Sequence, residues 1–312
     1  MQETLVSRVV ILTRIFTLNL ITAHRSPPHG GYGMNHGIQE ASDIGFKLAA
    51  VVKGFGGPLL LQSYETERRP VMIKALERSD HHIREHIPWL AWGAENSEII
   101  CTKTPEGAAL RKKIGDYLDA SGSECTNRGI EMDVRYNSAV IYQDTDGTKE
   151  PKWDIFKQAP GTWPGARASH VFLKDGKTSI LDLYGKGGWT LVEFTSSGSE
   201  PTAFPLFTKV AKELSFPLTV VDVKDEDHVR KIWERNIVLV RPDGIVAWRN
   251  NTAPATEEAV KDILDVVLGH KPFHGFVPSP PRDANFKSII EKVEGNPEGD
   301  PKYLAAFQKE IN

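Results

Sequence analysis

The chain has 312 residues, 40% hydrophobic and 25% charged, an ordinary globular composition that excludes a wholly disordered protein. Its 38 Lys and Arg against 41 Asp and Glu give a formal net charge of −3, so no general electrostatic pull toward nucleic acid or an anionic membrane follows. Two cysteines, Cys101 and Cys125, without any CxxC, exclude a disulfide-stapled module, a dithiol redox centre and a Cys-rich zinc site.

The length predicts about two domains. Residues 5–23, LVSRVVILTRIFTLNLITA, are apolar but broken by Arg8 and Arg14. The charge-free run from Ile15 to Ala23 is too short to span a bilayer. The stretch lacks the unbroken apolar region of a signal peptide and reads as a buried strand in an atypical leader, with a mitochondrial presequence as the alternative. The expected location is cytoplasmic.

Residues 24–34, HRSPPHGGYGM, form a Pro/Gly loop, and Asn35 is the expected N-cap of a helix from His36 to Lys53. Ile38, Ala41, Ile44, Leu48, Val51 and Val52 give that helix its period, and Gly54, Gly56, Gly57 and Pro58 stop it. A second helix is expected over about Leu59–Arg69, ended or kinked by Pro70, and a third over about Val71–His86, closed by Pro88. Some helix follows at about 105–120, and residues 134–142, VRYNSAVIY, have strand composition.

From about Gly165 the texture changes. LDLYG, TLVEF, LTVVDV, IVLV and IVAWR read as strands, with helices between them at about 204–214, 226–235 and 256–268. Arg241-Pro242-Asp243-Gly244 is a tight hairpin turn. This alternation predicts the α/β class. The tail from about Lys271 reads as an irregular extension with one or two short helices.

Pro28-His29-Gly30-Gly31-Tyr32-Gly33-Met34-Asn35 leads straight into a helix. Glycines let a backbone approach a ligand closely, and a helix N-terminus presents unpaired amides and the positive end of its dipole. Together they suit an anion or developing negative charge. The spacing is not a dinucleotide fingerprint, and a plain turn is the alternative.

The whole string from His24 to Ala41, then Lys47-Leu48-Ala49, then Ser63-Tyr64-Glu65 through Glu67-Arg68-Arg69-Pro70, resembles the second FAD-contacting segment of the class A flavin-dependent aromatic hydroxylases, the phenol hydroxylase and p-hydroxybenzoate hydroxylase type. Tyr136, Ser138, Pro164-Gly165, Arg167-Ala168, His170, Asp175-Gly176, Leu181–Gly185 and Leu239–Arg249 resemble the thioredoxin-like C-terminal domain of the phenol hydroxylase branch, which lacks redox cysteines. The resemblance implies a mostly helical partial FAD-binding monooxygenase segment followed by a thioredoxin-like α/β domain. It divides the chain into a leader (1–22), the C-terminal portion of the FAD-binding domain (23–135), the thioredoxin-like domain (136–270) and an extension (271–312).

The activity it implies is hydroxylation of a small phenolic or polyketide-like aromatic using FAD, NAD(P)H and O2, in secondary metabolism or aromatic catabolism; a homodimer is compatible with it. The flavin carries the oxygen chemistry. Pro28 would lie beside the reactive edge of the ring, and the backbone around Gly31, Gly33, Met34 and Asn35 would face its N1–C2=O side. Glu65, Arg68 and Arg69 read as structural ion pairs. No catalytic base can be nominated.

Two features depart from the family. Its Gly-Asp pair, whose Asp holds the ribityl and pyrophosphate part of FAD, is matched by Leu20 and Ile21. No Gly-x-Gly-x-x-Gly unit and no substrate-binding sheet precede the matched part, so a truncated or mis-spliced product with weak or no FAD retention is expected. Two other readings stand beside this one. The thioredoxin-like half could be a non-catalytic packing or dimerisation module. His82-x-x-Glu85-His86 matches an inverted zinc-hydrolase motif, although Pro88 would leave His86 in a fraying turn and no third ligand is apparent. The tryptophans, Trp153, Trp163, Trp189, Trp233 and Trp248, read as packing residues.

Overall fold

The computed structural model describes residues 28–121, 126–185 and 187–277. Leu20, Ile21, the apolar stretch 5–23, Cys125 and the tail beyond Val277 lie outside the described residues.

Helix α1 spans Tyr32–Val52 and α2 spans Pro58–Glu95, followed by α3 (Ser97–Ile100), α4 (Pro105–Ser121) and α5 (Arg128–Met132). α1 and α2 run antiparallel, as the pairs Tyr32–His82 and Lys47–Glu67 require. α2 corrects the expectation of two helices broken at Pro70 and closed at Pro88: both prolines lie inside one continuous helix. Its buried face, with Leu60, Leu61, Ser63, Glu67, Arg68, Val71, Met72, Ala75, Ser79 and His82, recurs every three or four residues straight past Pro70. Packing on both sides of the proline outweighs its intrinsic helix penalty of about 3 kcal/mol.

Two expected strands are also corrected. Residues 134–142 are extended but irregular, with a single bridge from Arg135 to Ala166. A turn from Ser138 to Ile141, closed by a 3.2 Å backbone bond, interrupts any ladder. Overlapping LDLYG, residues Ile180–Leu183 form a 3₁₀ turn. Ser179 and Asp182 cap it reciprocally, a local alternative that competes with strand pairing.

The α/β half follows the order β1 (Trp189–Thr195), α6 (Phe204–Glu213), β2 (Leu218–Lys224), α7 (Asp227–Trp233), β3 (Ile237–Val240), β4 (Val246–Asn250) and α8 (Glu257–Val267). The sheet order is β2-β1-β3-β4, with β1 and β2 parallel and both other pairings antiparallel. A βαβ unit followed by a hairpin and a helix is the α/β arrangement that the alternation predicts, and it is compatible with the thioredoxin-like domain that the resemblance implies. The turn joining β3 to β4 closes through the Gly244 amide and the Arg241 carbonyl at 2.9 Å.

Strand alternation sends Leu191, Ile237 and Leu239 to one face, against Phe207 and Val210 of α6 and Val260, Leu264 and Val267 of α8. Val192, Val238, Val240 and Val246 go to the other, against Val229 and Trp233 of α7 and Ile180. Ala50, Phe55 and Leu60 of the helical segment belong to the first of these cores. The two halves also share backbone hydrogen bonds, Gly57 N–H to Leu268 O at 2.7 Å and Leu59 N–H to Gly269 O at 3.1 Å. The described residues up to Phe276 accordingly form one compact unit. No helix among the described residues is long and apolar enough to cross a membrane.

Candidate functional site

The entrance to α1 is built by two glycines. Gly30 and Gly31 adopt φ values of 81° and 66°, in the left-handed region that glycine enters without a Cβ penalty. Gly31, not Asn35, is the N-cap. Asn35 lies in the first turn, and its side-chain amide donates to the Gly31 carbonyl at 2.9 Å. The helix starts earlier than expected because the glycine turn can itself provide the cap conformation.

The entrance is held on α2. Ser79 Oγ donates to the His29 carbonyl at 2.8 Å, and buried Tyr32 places its hydroxyl 3.3 Å from His82 Nε2. Pro28, Gly31 and Asn35 are exposed, Gly33 is half-buried, and Met34 is 75% exposed. No described residue beyond its neighbours lies within 4 Å of where a Gly31 side chain would begin. That open left-handed backbone, leading into a helix N-terminus, fits a flat ring carrying negative charge. The roughly 400 Å³ cleft between α1 and the β3–β4 turn is lined by Ile38, Gln39 and Ser42 further along the helix, and not by these five residues.

Below the entrance lies a feature that sequence reasoning missed. The buried face of α1 is His36, Glu40, Asp43, Ile44, Lys47 and Ala50, whereas Ile38 is 63% exposed. Lys47 Nζ bridges Asp43 at 2.9 Å and Glu67 at 2.7 Å. Arg241, from the end of β3, contacts Glu67 at 2.9 Å, Asp43 at 2.9 Å and Asp243 at 2.5 Å. Ser138 donates to Glu67 at 2.7 Å. The i,i+4 spacing of Asp43 and Lys47 was the one signal available, and alone it is indistinguishable from a solvated pair.

Burial pushes the Asp43 carboxyl up to about 6, with Lys47 opposing. Burial penalises ionised Glu67 too, but Arg241 and Lys47 outweigh it and hold that carboxyl down at about 2. Burial also disfavours the Arg241 cation, and Asp243, Glu67 and Asp43 more than offset this, raising its pKa further.

Of the other named residues, Arg69 and Glu65 form the expected surface pair at 3.1 Å. Arg68 does not: it is buried and donates to the Tyr136 hydroxyl at 2.8 Å and to Gln39 Oε1 at 3.2 Å. The zinc reading is corrected. His82 is buried against Tyr32 and the Asn127 amide, and His86 packs edge-on against His29 with ring centroids 5.4 Å apart. No group of three metal-ligating side chains converges among the described residues. His86 lies in a helix that continues to Glu95, so it is not in a fraying turn either. Trp189, Trp233 and Trp248 are core residues, while Trp153 and Trp163 carry Lys74 and Arg249 over their faces.

Comparison with known proteins agrees with this layout. Residues 22–79 match the FAD binding domain family, and residues 161–270 match the C-terminal domain of the aromatic-ring hydroxylases. An FAD-dependent monooxygenase of Emericella nidulans is 37% identical over 238 residues, covering 76% of this chain and 38% of its own length. Phenol 2-monooxygenase of a Pseudomonas species is 28% identical, covering 79% of this chain and 44% of its own. The rebeccamycin biosynthetic enzyme RebC, solved with reduced flavin, superposes with a TM-score of 0.63 at 33% identity, over 79% of this chain and 43% of that one. The chain is thus similar to the FAD-dependent aromatic-ring hydroxylases over their C-terminal part. It spans about 40% of the length of the curated relatives that it matches.

Proposed function

We propose that this chain serves FAD-dependent hydroxylation of a small phenolic or polyketide-like aromatic, with NAD(P)H and O2 as co-substrates, by supplying part of the flavin site. The supporting observation is the left-handed backbone at Gly30 and Gly31, open at Gly31, feeding the N-terminus of α1 within the segment that matches the FAD binding domain.

When bound, FAD supplies the oxygen activation. Pro28, Gly31, Gly33, Met34 and Asn35 would hold its ring. Amides at a helix N-terminus that lack a carbonyl a turn earlier would stabilise negative charge on the N1–C2=O edge of the ring. Because the effect comes from the backbone, shape matters more than side-chain identity. The Asn35–Gly31 bond, Ser79 and Tyr32 keep the turn in place.

Titration of the chain with FAD, followed by flavin fluorescence, tests the reading. Weak but saturable binding is expected, with Kd above about 10 μM, since part of the family's site lies outside the matched segments. Gly31→Val, which strains the left-handed turn and fills the open space, should weaken it at least about tenfold. Absence of saturation, or indifference to Gly31→Val, refutes it.

A further inference from the structure

The cleft of about 400 Å³ between α1, residues 131–136 and the β3–β4 turn lies apart from the glycine entrance. Its size falls within the range of small-molecule sites. Ile38, Met132, Val134, Leu181, Pro242 and Ile245 give it apolar walls, and Ile38 and Met132 are 63% and 37% exposed. Two polar groups in these walls are unspent. Among the described residues the Arg167 guanidinium meets no carboxylate at ion-pair distance; its polar contact is the Met132 sulfur at 3.9 Å. The Tyr184 hydroxyl is buried and has no hydrogen-bond partner among the described residues.

Arg167 is exposed at its tip but fixed at its backbone. Ala166 O accepts from Val246 N–H at 2.9 Å, and Ala168 N–H donates to Gly244 O at 3.1 Å. The guanidinium therefore projects from a strand-like rung pinned to the hairpin. A buried hydroxyl without a partner costs about 1–3 kcal/mol, which a bound acceptor would relieve.

The charges around the cleft restrict the ligand. Asp243 lines it, but its oxygens already accept from Arg241 at 3.1 and 2.5 Å. Glu131 lies exposed at the rim. Among the described residues, one available cation beside one exposed carboxylate suits a monoanion and disfavours a phosphate dianion. A guanidinium fork matches a carboxylate, and a methionine sulfur beside it favours an aromatic body.

We propose that this cleft binds a monoanionic aromatic carboxylate, with its carboxylate on Arg167 and Tyr184 and its ring against Met132 and Ile38. The site is independent of the flavin reading.

The test titrates the full chain with 1-naphthoate, read by ligand-observed NMR. 1-Naphthalenemethanol serves as the neutral analogue and inorganic phosphate as the competing anion. Naphthoate should bind saturably, and Arg167→Gln should weaken it about tenfold or more while leaving the neutral alcohol unaffected. Tyr184→Phe should weaken it about threefold to tenfold. Met132→Glu, which places a carboxylate beside the guanidinium, should abolish it. Thermal unfolding reports whether each variant folds, and Arg167→Gln, at an exposed tip, should unfold as the parent does. The proposal is overturned if naphthoate does not bind, if folded Arg167→Gln binds it equally well, or if phosphate displaces it at equal concentration. It is also overturned if Gly31→Val removes naphthoate binding, since the probe then sits at the glycine entrance.

Discussion

Arg241 sits fully buried with its guanidinium among Asp43, Glu67 and Asp243, and Lys47 completes the cluster from the other side. Such a group is weak evidence of net stabilisation, but removing one partner strands the rest without water. Arg241→Met should destabilise the protein by about 3–5 kcal/mol, read from urea unfolding. The cluster also sets a pH dependence. The folded-state value of Asp43, about 6, lies above its unfolded one. Its contribution is therefore full below about pH 4 and lost as pH rises through about 6. Glu67 behaves oppositely: held at about 2, it contributes above its unfolded value and loses that contribution as pH falls. Asp43→Asn should flatten the stability profile between about pH 4 and pH 6 while retaining the acid loss below about pH 4. A mutant profile parallel to the parent's in the upper window would contradict this.

At the scale of elements, the helix α2 is the instructive case. Pro70 removes one intrahelical donor in the middle of a 38-residue helix, yet half-buried Pro70 is flanked by buried Glu67, Arg68, Val71 and Met72. The helix persists because its neighbours are packed, so the local penalty is still present. Pro70→Ala should raise stability by about 1–3 kcal/mol in urea unfolding, up to the full helix-interior cost of proline. No change, or a loss, would mean that the proline's own packing outweighs the restored donor. Helices α6 and α8 follow ordinary signals: α8 is capped by Thr256, whose hydroxyl accepts from Ala259 N–H at 3.3 Å. The 3₁₀ turn at Ile180–Leu183 shows the converse, a strand-like composition overruled by the two side chains that cap it.

For the whole molecule, the helical hairpin and the sheet share one core, two backbone hydrogen bonds and the Arg241 cluster. The close approach is tight enough that a Cβ on Gly269, at φ 77°, would lie 2.2 Å from Leu60 N. Unfolding should therefore be a single cooperative transition. Far-UV circular dichroism, weighted to helices in both halves, and fluorescence, to which Trp89 and Trp92 of α2 contribute as well as Trp189, Trp233 and Trp248 of the sheet half, should give coincident urea curves. Separate midpoints would contradict a single cooperative transition.

The sequence by itself determined the α/β class, the hairpin turn at Arg241–Gly244, most strands and helices of the C-terminal half, and the glycine turn that opens α1. These are local: turn chemistry, capping and period act within a few residues. Only the tertiary structure decided which face of α1 is buried, because the apolar period through Ile38 competes with a polar stripe of His36, Glu40, Asp43 and Lys47. That stripe faces inward only because Glu67 and Arg241 come to meet it, and Arg241 lies 174 residues beyond Glu67 in the chain. Compensation between charges so far apart has no period and no local signature, and so it becomes visible only when the chain is folded.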